Sequence, residues 1–463
     1  MSFNPGNFKK GAKTCVLGFG RSGIACANLL VEAGFQVLLS ELRPLPSDAA
    51  AKGGLNGAVK LESGGHGKEV LSADFVVKSP GIFPASDILK SIKKAGIPVF
   101  SELEVAIAFC PKCQLFAVTG TNGKTTTATL LYQILKSAAP SGCGVWLAGN
   151  VGKPLAAMVK DIKEGDMVAL EVSSYQLEDS SGFSPDFASL LNITPDHIDH
   201  HGGMEQYLAA KKKIFSGQHP DAYCVFNAGD ALSVGLAANC PSKKLYFSSA
   251  AEPASAQARY GGGRLVFRFE KIDCALEPPS LPGVHNLENA MCAGLMALAA
   301  GAAPDAVARA FKSFRGVEHR LEEAGVVSGV RCINDSKATN VDSTVIALRA
   351  LRSGKKNIWL ILGGQDKGVP YAPLVPLIKE SVIKMLLIGE AAGKIEAELG
   401  AAAPCARVET IKNALDRCLL EAQPGDILLL SPACASFDQF RDFEHRGASF
   451  KELVAARSVL SAR

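Results

Sequence analysis

The chain has no stretch approaching the ~18 uncharged apolar residues of a membrane-spanning helix, so no transmembrane segment is expected. No run of five like charges occurs, and the formal charge is only +4. Extended nucleic-acid binding, which needs a basic stripe, is therefore disfavoured; Lys211-Lys212-Lys213 is the densest basic spot. The 13 cysteines lack paired spacing. Cys110 and Cys113 form a lone CxxC with no second pair at zinc-ribbon distance. The opening MSFNPGNFKKG lacks the apolar core of a secretion signal. These absences read as a cytoplasmic chain with reduced thiols and with no nucleic-acid or membrane partner.

What is present fits a soluble enzyme: 463 residues, 48% hydrophobic and 20% charged. That length exceeds one compact core and suggests about three domains. Short apolar runs, Gly-rich turns and Ala/Leu-rich helical stretches alternate from end to end, which predicts α/β architecture with mainly parallel sheets. Ligands in such sheets sit beyond the carboxyl ends of the strands. We read three blocks, 1–110, 111–317 and 318–463, with a hinge in SFRGVEHRLE around Arg315 to Glu322. Strands are expected at Lys13–Leu17, Phe35–Ser40, Leu115–Thr119, Phe187–Asn192, Gly329–Ile333, Ile358–Leu362, Met385–Ile388 and Ile427–Leu430.

In the first block Gly18-Phe19-Gly20-Arg21-Ser22-Gly23 follows a strand and opens a helix, and Glu41 ends the next apolar run. This is the Rossmann fingerprint for a diphosphate-bearing nucleotide, NAD(P) or another, although a purely structural turn reads the same way. Lys78-Ser79-Pro80-Gly81 offers a further loop or an ordinary turn.

In the second block the strand LFAVT leads into Gly120-Thr121-Asn122-Gly123-Lys124-Thr125-Thr126-Thr127, with an apolar helix from Ala128. Backbone N–H groups would cradle a phosphate, Lys124 would neutralise it and Thr125 would reach Mg²⁺. The bland alternative is a helix start rich in threonine caps. Glu171 ends the apolar strand after Asp166, where a phosphate-bound Mg²⁺ finds its carboxylate ligand. The run Thr194-Pro195-Asp196-His197-Ile198-Asp199-His200-His201 admits a zinc site, a surface turn or a metal-nucleotide role. From residues alone, the triple lysine reads as a solvated basic face.

In the third block three strand ends run into Asn334-Asp335-Ser336-Lys337-Ala338-Thr339-Asn340, Gly363-Gly364-Gln365-Asp366-Lys367 and Ser431-Pro432-Ala433-Cys434-Ala435-Ser436-Phe437. Lysines, hydroxyls and amides on three such loops suggest a pocket for a small anion, or helix caps alone.

In chain order, GTNGKTTT, EVSSYQLE, LNITPDHIDHH, HNLENA, EHRLE and NDSKATN resemble the Mur ligase family, over a span from Gly18 to Phe443. NDSKATN and SPACASFDQF are most similar to its D-glutamate-adding member. The resemblance implies a Rossmann-like UDP-binding domain, a central ATPase and a C-terminal Rossmann-like domain that closes over the site. It implies a monomeric cytoplasmic enzyme of peptidoglycan precursor synthesis. That enzyme uses ATP and two Mg²⁺ ions to join UDP-N-acetylmuramoyl-L-alanine and D-glutamate through an acyl phosphate. By the same resemblance Arg21, Ser22, Gly23, Glu41, Arg43, Gly81, Asn150, Gln176 and His197 would face the UDP substrate. The GTNGKTTT loop from Thr121 to Thr127, with Asn289, Arg320 and Asp335, would face ATP. Lys124, Glu171, His197 and Lys211 would be catalytic. Thr125, Glu171, His197 and Lys211, the last as a carbamate, would hold metal. Lys337, Thr339, Lys367, Ser436, Phe437 and Phe443 would face D-glutamate. Sibling ligases and folylpolyglutamate synthetases share the phosphate loop and histidine run, and would take a different amino acid. A nicotinamide-dependent oxidoreductase leaves GKTTT unexplained, and a non-catalytic nucleotide-binding module needs no acceptor set.

Overall fold

A computed structural model describes residues 2–250 and 255–461. Two compact units emerge: residues up to Ser280 with Leu287–Phe314, and Leu281–Asn286 with residues 315–463. No helix among the described residues is long and apolar enough to cross a membrane.

The first unit holds two sheets. The first sheet comprises β1 (Lys13–Leu17), β2 (Gln36–Glu41), β3 (Lys60–Ser63), β4 (Phe75–Lys78) and β5 (Val99–Ser101). They run parallel in the order β3-β2-β1-β4-β5. Cys15, Val16 and Leu17 are fully buried, as a strand covered on both faces requires. The order reverses between β1 and β4, which opens a crevice beyond their carboxyl ends.

The second sheet begins with β6 (Gln114–Thr119), β7 (Val145–Gly149), β8 (Met167–Glu171), β9 (Phe187–Leu190), β10 (Tyr223–Asn227) and β11 (Lys243–Ser248). It ends with β12 (Ala258–Gly261), β13 (Arg264–Phe269) and β14 (Ile272–Leu276). The order is β14-β13-β12-β11-β10-β9-β6-β8-β7, parallel except for the pairings of β13 with β12 and β14. So β8 and β9 flank β6, whose end carries the glycine-rich loop. The helix after that loop runs from Lys124 to Ala138, four residues earlier than the apolar pattern suggests. Its first turn is threonine, and Thr125, Thr126 and Thr127 are buried.

One hydrophobic cluster runs through both sheets, from Phe3 by way of Phe100 and Leu103 to Leu115 and Ala188. Phe3 packs against Phe75 and Phe100 with ring centroids at 5.3 and 5.1 Å, and its N–H donates to Glu104. Glu104 also accepts from Gly182 N at 3.1 Å. This shared core makes the first two sheets one compact unit.

The second unit carries β15 (Glu322–Val327), β16 (Val330–Asn334), β17 (Ile358–Gly363), β18 (Val382–Ile388), β19 (Cys405–Glu409) and β20 (Ile427–Leu430). Their order is β15-β16-β20-β17-β18-β19, with only the β15 pairing antiparallel. The adjacency of β16, β20 and β17 brings the three candidate loops to one edge.

Candidate active site

The crevice of the first unit is a cavity of about 1070 Å³. Arg21, Ser22, Glu41, Arg43, Gly81, Asn150 and Gln176 all line it. Gly23 lies behind the turn: a Cβ there would sit 2.1 Å from Gly18 O and 2.8 Å from Ser79 Oγ. Gly23→Ala must therefore open the turn at a cost of about 1–3 kcal/mol, as overpacking does. The expected outcome is affinity for a diphosphate-bearing ligand of this cavity weakened roughly tenfold, read by calorimetric titration. Glu41 is buried and engaged: Oε2 accepts from Phe19 N at 2.8 Å, and Oε1 from Arg43 N at 3.1 Å and Arg43 Nε at 3.3 Å. Burial alone would raise its pKa, but these donors outweigh it and hold the carboxyl below its usual range. Its carboxylate thus shapes the glycine turn.

The loop Gly120–Gly123 closes tightly. Gly123 has φ 85°, and a Cβ there would meet Asn289 Oδ1 at 2.3 Å. Asn289 also accepts from Thr127 Oγ1 at 3.1 Å, so it braces the loop and its helix. Thr121 Oγ1 bonds Thr194 O at 3.0 Å and the Tyr207 hydroxyl at 2.9 Å. Asn122 N donates to Asn192 Oδ1 at 2.8 Å. Lys124 Nζ folds back onto Gly120 O and Thr121 O at 2.9 and 2.7 Å. Lys211 Nζ donates to the same Gly120 O at 2.8 Å. Lys211 is 1% exposed and stacks over the Tyr207 ring at 4.7 Å, so the solvated-face reading of the triple lysine is wrong. Burial, then the Lys124 charge, push its pKa far below the usual amine value, while Asp196 pulls weakly the other way.

Glu171, 1% exposed, ends β8 beside the loop, and its Oε1 accepts from Asn150 Nδ2 at 2.8 Å. Asn150 thereby links the cavity to the carboxylate at the end of β8. His197 follows β9 with φ 55°, and its ring stands 4.8 Å from Tyr175. The Thr125 hydroxyl beyond β6 and the buried Glu171 carboxylate at the end of its neighbour β8 are oxygen ligands of the kind a hard divalent cation such as Mg²⁺ takes.

The remaining histidines belong to a separate charge network. Glu178 pairs with His200 at 3.3 Å, His201 at 3.2 Å and the buried Lys78 at 2.9 Å. Glu178, His200 and His201 have metal-ligand spacing, but Lys78 already neutralises the carboxylate. Burial opposes ionisation of Glu178, yet His201 and Lys78 overrule it and hold its pKa at about 2, against a usual 4.5. A depressed carboxylate contributes stability that is full above its unfolded pKa and is lost as pH falls through the folded one. Glu178→Gln should therefore flatten the acid limb of the stability curve between about pH 4.5 and 2, read by urea unfolding.

In the second unit Asp335 is buried and accepts from Ser431 Oγ at 2.7 Å and Leu321 N at 3.3 Å. Burial pushes its pKa up to about 7, against the opposing pull of Ser431 and Arg320. Lys337 Nζ lies 5.3 Å from the centre of the Phe443 ring. Thr339 N bonds Lys337 O at 2.9 Å, Ser436 is buried, Lys367 is exposed and Phe437 is 67% exposed. Gln365 N donates to Ala435 O at 2.9 Å and so joins the β17 and β20 loops.

Three family models match the chain in succession. Residues 12–101 match a "Mur ligase MurD-like, N-terminal domain", 118–297 a "Mur ligase middle domain" and 319–434 a "Mur ligase, glutamate ligase domain". A UDP-N-acetylmuramoylalanine–D-glutamate ligase of Elusimicrobium minutum is 49% identical across 96% of this chain and 98% of its own. The chain belongs to the Mur ligase family. The Mur ligase of the same name from Koribacter versatilis is 40% identical over 96% of this chain and 97% of its own. In fold it is similar to the Mur ligase MurC from Thermotoga maritima, with TM-score 0.59, 18% identity and coverage of 96% and 99%.

Two features of this Mur ligase escaped the sequence reading. The buried Arg446 bonds Ser336 Oγ, Ser336 O, Cys434 O and Ala435 O at 2.8–3.3 Å. Glu178 ties β4 to the helix that follows His197. Arg446 had a signal: it stands on the stripe Arg446, Phe450, Val454, an apolar face at four-residue spacing.

Proposed function

We propose that this Mur ligase joins D-glutamate to UDP-N-acetylmuramoyl-L-alanine at the expense of ATP, in peptidoglycan precursor synthesis. The observation that carries the reading is the 49% identity, over nearly the whole of both chains, to a ligase of that name. The site residues support it. The cavity bounded by Gly18, Arg21 and Ser22 has a helix N-terminus and backbone N–H groups suited to a diphosphate.

Amide formation needs the L-alanyl carboxylate oxygen to become a leaving group. The carboxylate attacks the γ-phosphorus of ATP, the bond to the β–γ bridging oxygen breaks, and ADP departs. The unprotonated amine of D-glutamate then attacks the acyl carbon, the tetrahedral intermediate gives up one amine proton to solvent, and phosphate leaves as the acyl carbon–oxygen bond breaks. Lys124 offsets charge on the transferred phosphoryl group from its place on the loop. Thr125 and Glu171 would hold one Mg²⁺, and His197 with a carbamate on Lys211 would hold a second. When bound, a metal there would supply charge neutralisation to the phosphate oxygens. Lys211 suits that modification because CO₂ adds only to an unprotonated amine, with release of one proton. Lys337 and Ser436 of the second unit would take the D-glutamate carboxylates.

Phosphate release should require ATP, Mg²⁺, UDP-N-acetylmuramoyl-L-alanine and D-glutamate together. Release with L-alanine or a diamino acid in place of D-glutamate would reassign the chain to a sibling activity.

A further inference from the structure

We infer that the bare Nε2 of His66 accepts a hydrogen bond from the nucleoside of the substrate and so helps to select uridine; this rests on the UDP-substrate reading of the cavity. His66 lines that cavity together with Glu41 and Arg43. In a doubly wound sheet the end of the second strand is where a bound nucleoside lies.

The proton positions follow from a short relay. Parallel pairing sets Ser40 of β2 opposite Glu62 of β3. Ser40 Oγ stands 2.5 Å from Glu62 Oε1 and 2.7 Å from His66 Nδ1. A hydroxyl has one proton, and a carboxylate oxygen accepts only; Glu62 Oε1 also accepts from Gly67 N at 3.0 Å. Ser40 therefore donates to Glu62, and its oxygen accepts the Nδ1–H of His66. That fixes the tautomer and leaves the Nε2 lone pair as the ring's remaining polar group. Burial lowers the pKa of His66, against the pull of Glu62 and Glu41, which favours the neutral ring.

The other acceptors at this end are in use. Both Glu41 oxygens serve Phe19 and Arg43, and Ser40 Oγ serves His66. Uracil offers an N3–H donor between two carbonyl oxygens, whereas cytosine has a bare N3 there and would set two lone pairs face to face. Ribose hydroxyls are the alternative donors, of the same chemistry.

Calorimetric titration of the full-length protein with UDP and CDP tests the inference. His66→Ala should weaken UDP binding about 5–10-fold, as loss of one hydrogen bond does, and change CDP binding by less than about twofold. His66→Gln can donate to Ser40 and present an oxygen, and should recover most of the loss. Ser40→Ala keeps the ring but frees its tautomer, and should lower the UDP-to-CDP selectivity while leaving ATP binding unchanged. Equal losses for UDP and CDP would assign the donor to a ribose hydroxyl and overturn the selection of uridine. Unchanged UDP binding by His66→Ala, with the parent protein binding UDP, would overturn it. Failure of the parent protein to bind UDP would instead overturn the UDP-substrate reading.

Discussion

Replacing Lys211 with alanine is expected to lower ligase turnover by on the order of 100-fold or more, with a folded protein that still binds UDP. The reason lies in the amine's surroundings. Nζ donates to Gly120 O at 2.8 Å, and that carbonyl is shared with Lys124. Burial and then the Lys124 charge both lower the pKa of Lys211 and so favour its neutral amine. A neutral amine has no electrostatic use at a phosphate site. Once carbamylated it becomes an anion suited to a divalent cation.

Lys211→Arg separates the two accounts. Arginine keeps a positive charge and cannot form the carbamate, so it should be as inactive as alanine. The parent protein should also lose activity in bicarbonate-free buffer and recover it when bicarbonate is restored. Full activity of Lys211→Ala in bicarbonate-free buffer would sink the proposal. Label from carbon-13 bicarbonate should appear on the parent protein and be missing from both variants.

The phosphate loop and the glycine turn were legible because their chemistry is contiguous: a strand, a few small residues and a helix start carry the whole signal. Lys211 was not, because its neighbours Lys212 and Lys213 suggest a solvated face. Yet Tyr207, Ala210, Lys211, Ile214 and Phe215 are all buried, at i, i+3, i+4, i+7 and i+8 of one helix. Read by helical period, Lys211 belongs to the apolar stripe, and a charge on such a stripe is either neutralised or modified. Glu41 was placed at the right strand end, but its engagement with Phe19 and Arg43 depends on how the glycine turn closes. The mainly parallel sheets were legible in the alternating apolar runs and glycine turns. The core shared by the first two was not, since Phe3, Phe75, Phe100 and Leu115 are brought together only by tertiary packing.

Arg446→Met is expected to destabilise the second unit by about 3–5 kcal/mol and to raise KM for D-glutamate, while KM for the UDP substrate stays unchanged. Arg446 is 1% exposed, and burial lowers its pKa to about 10, which leaves it charged at neutral pH. Its guanidinium bonds Ser336 Oγ through Nε, Ser336 O and Cys434 O through Nη2, and Ala435 O through Nη1. One planar fork thus pins the loop after β16 to the loop after β20, next to Lys337 on one side and Ser436 on the other. Gly364 brings in the third loop, because a Cβ there would lie 2.2 Å from Ala435 O and 3.1 Å from Arg446 Nη1. Methionine fills the volume but leaves the Ser336 and Cys434 carbonyls without the guanidinium donor in a dry site, and Ala435 O with Gln365 N alone. Arg446→Lys keeps the charge, yet its single nitrogen cannot span acceptors on two loops, so it should restore stability only in part and KM hardly at all. Thermal unfolding beside steady-state kinetics on each substrate gives the reading. A variant with lowered stability and unchanged KM for D-glutamate would reduce Arg446 to a structural clamp.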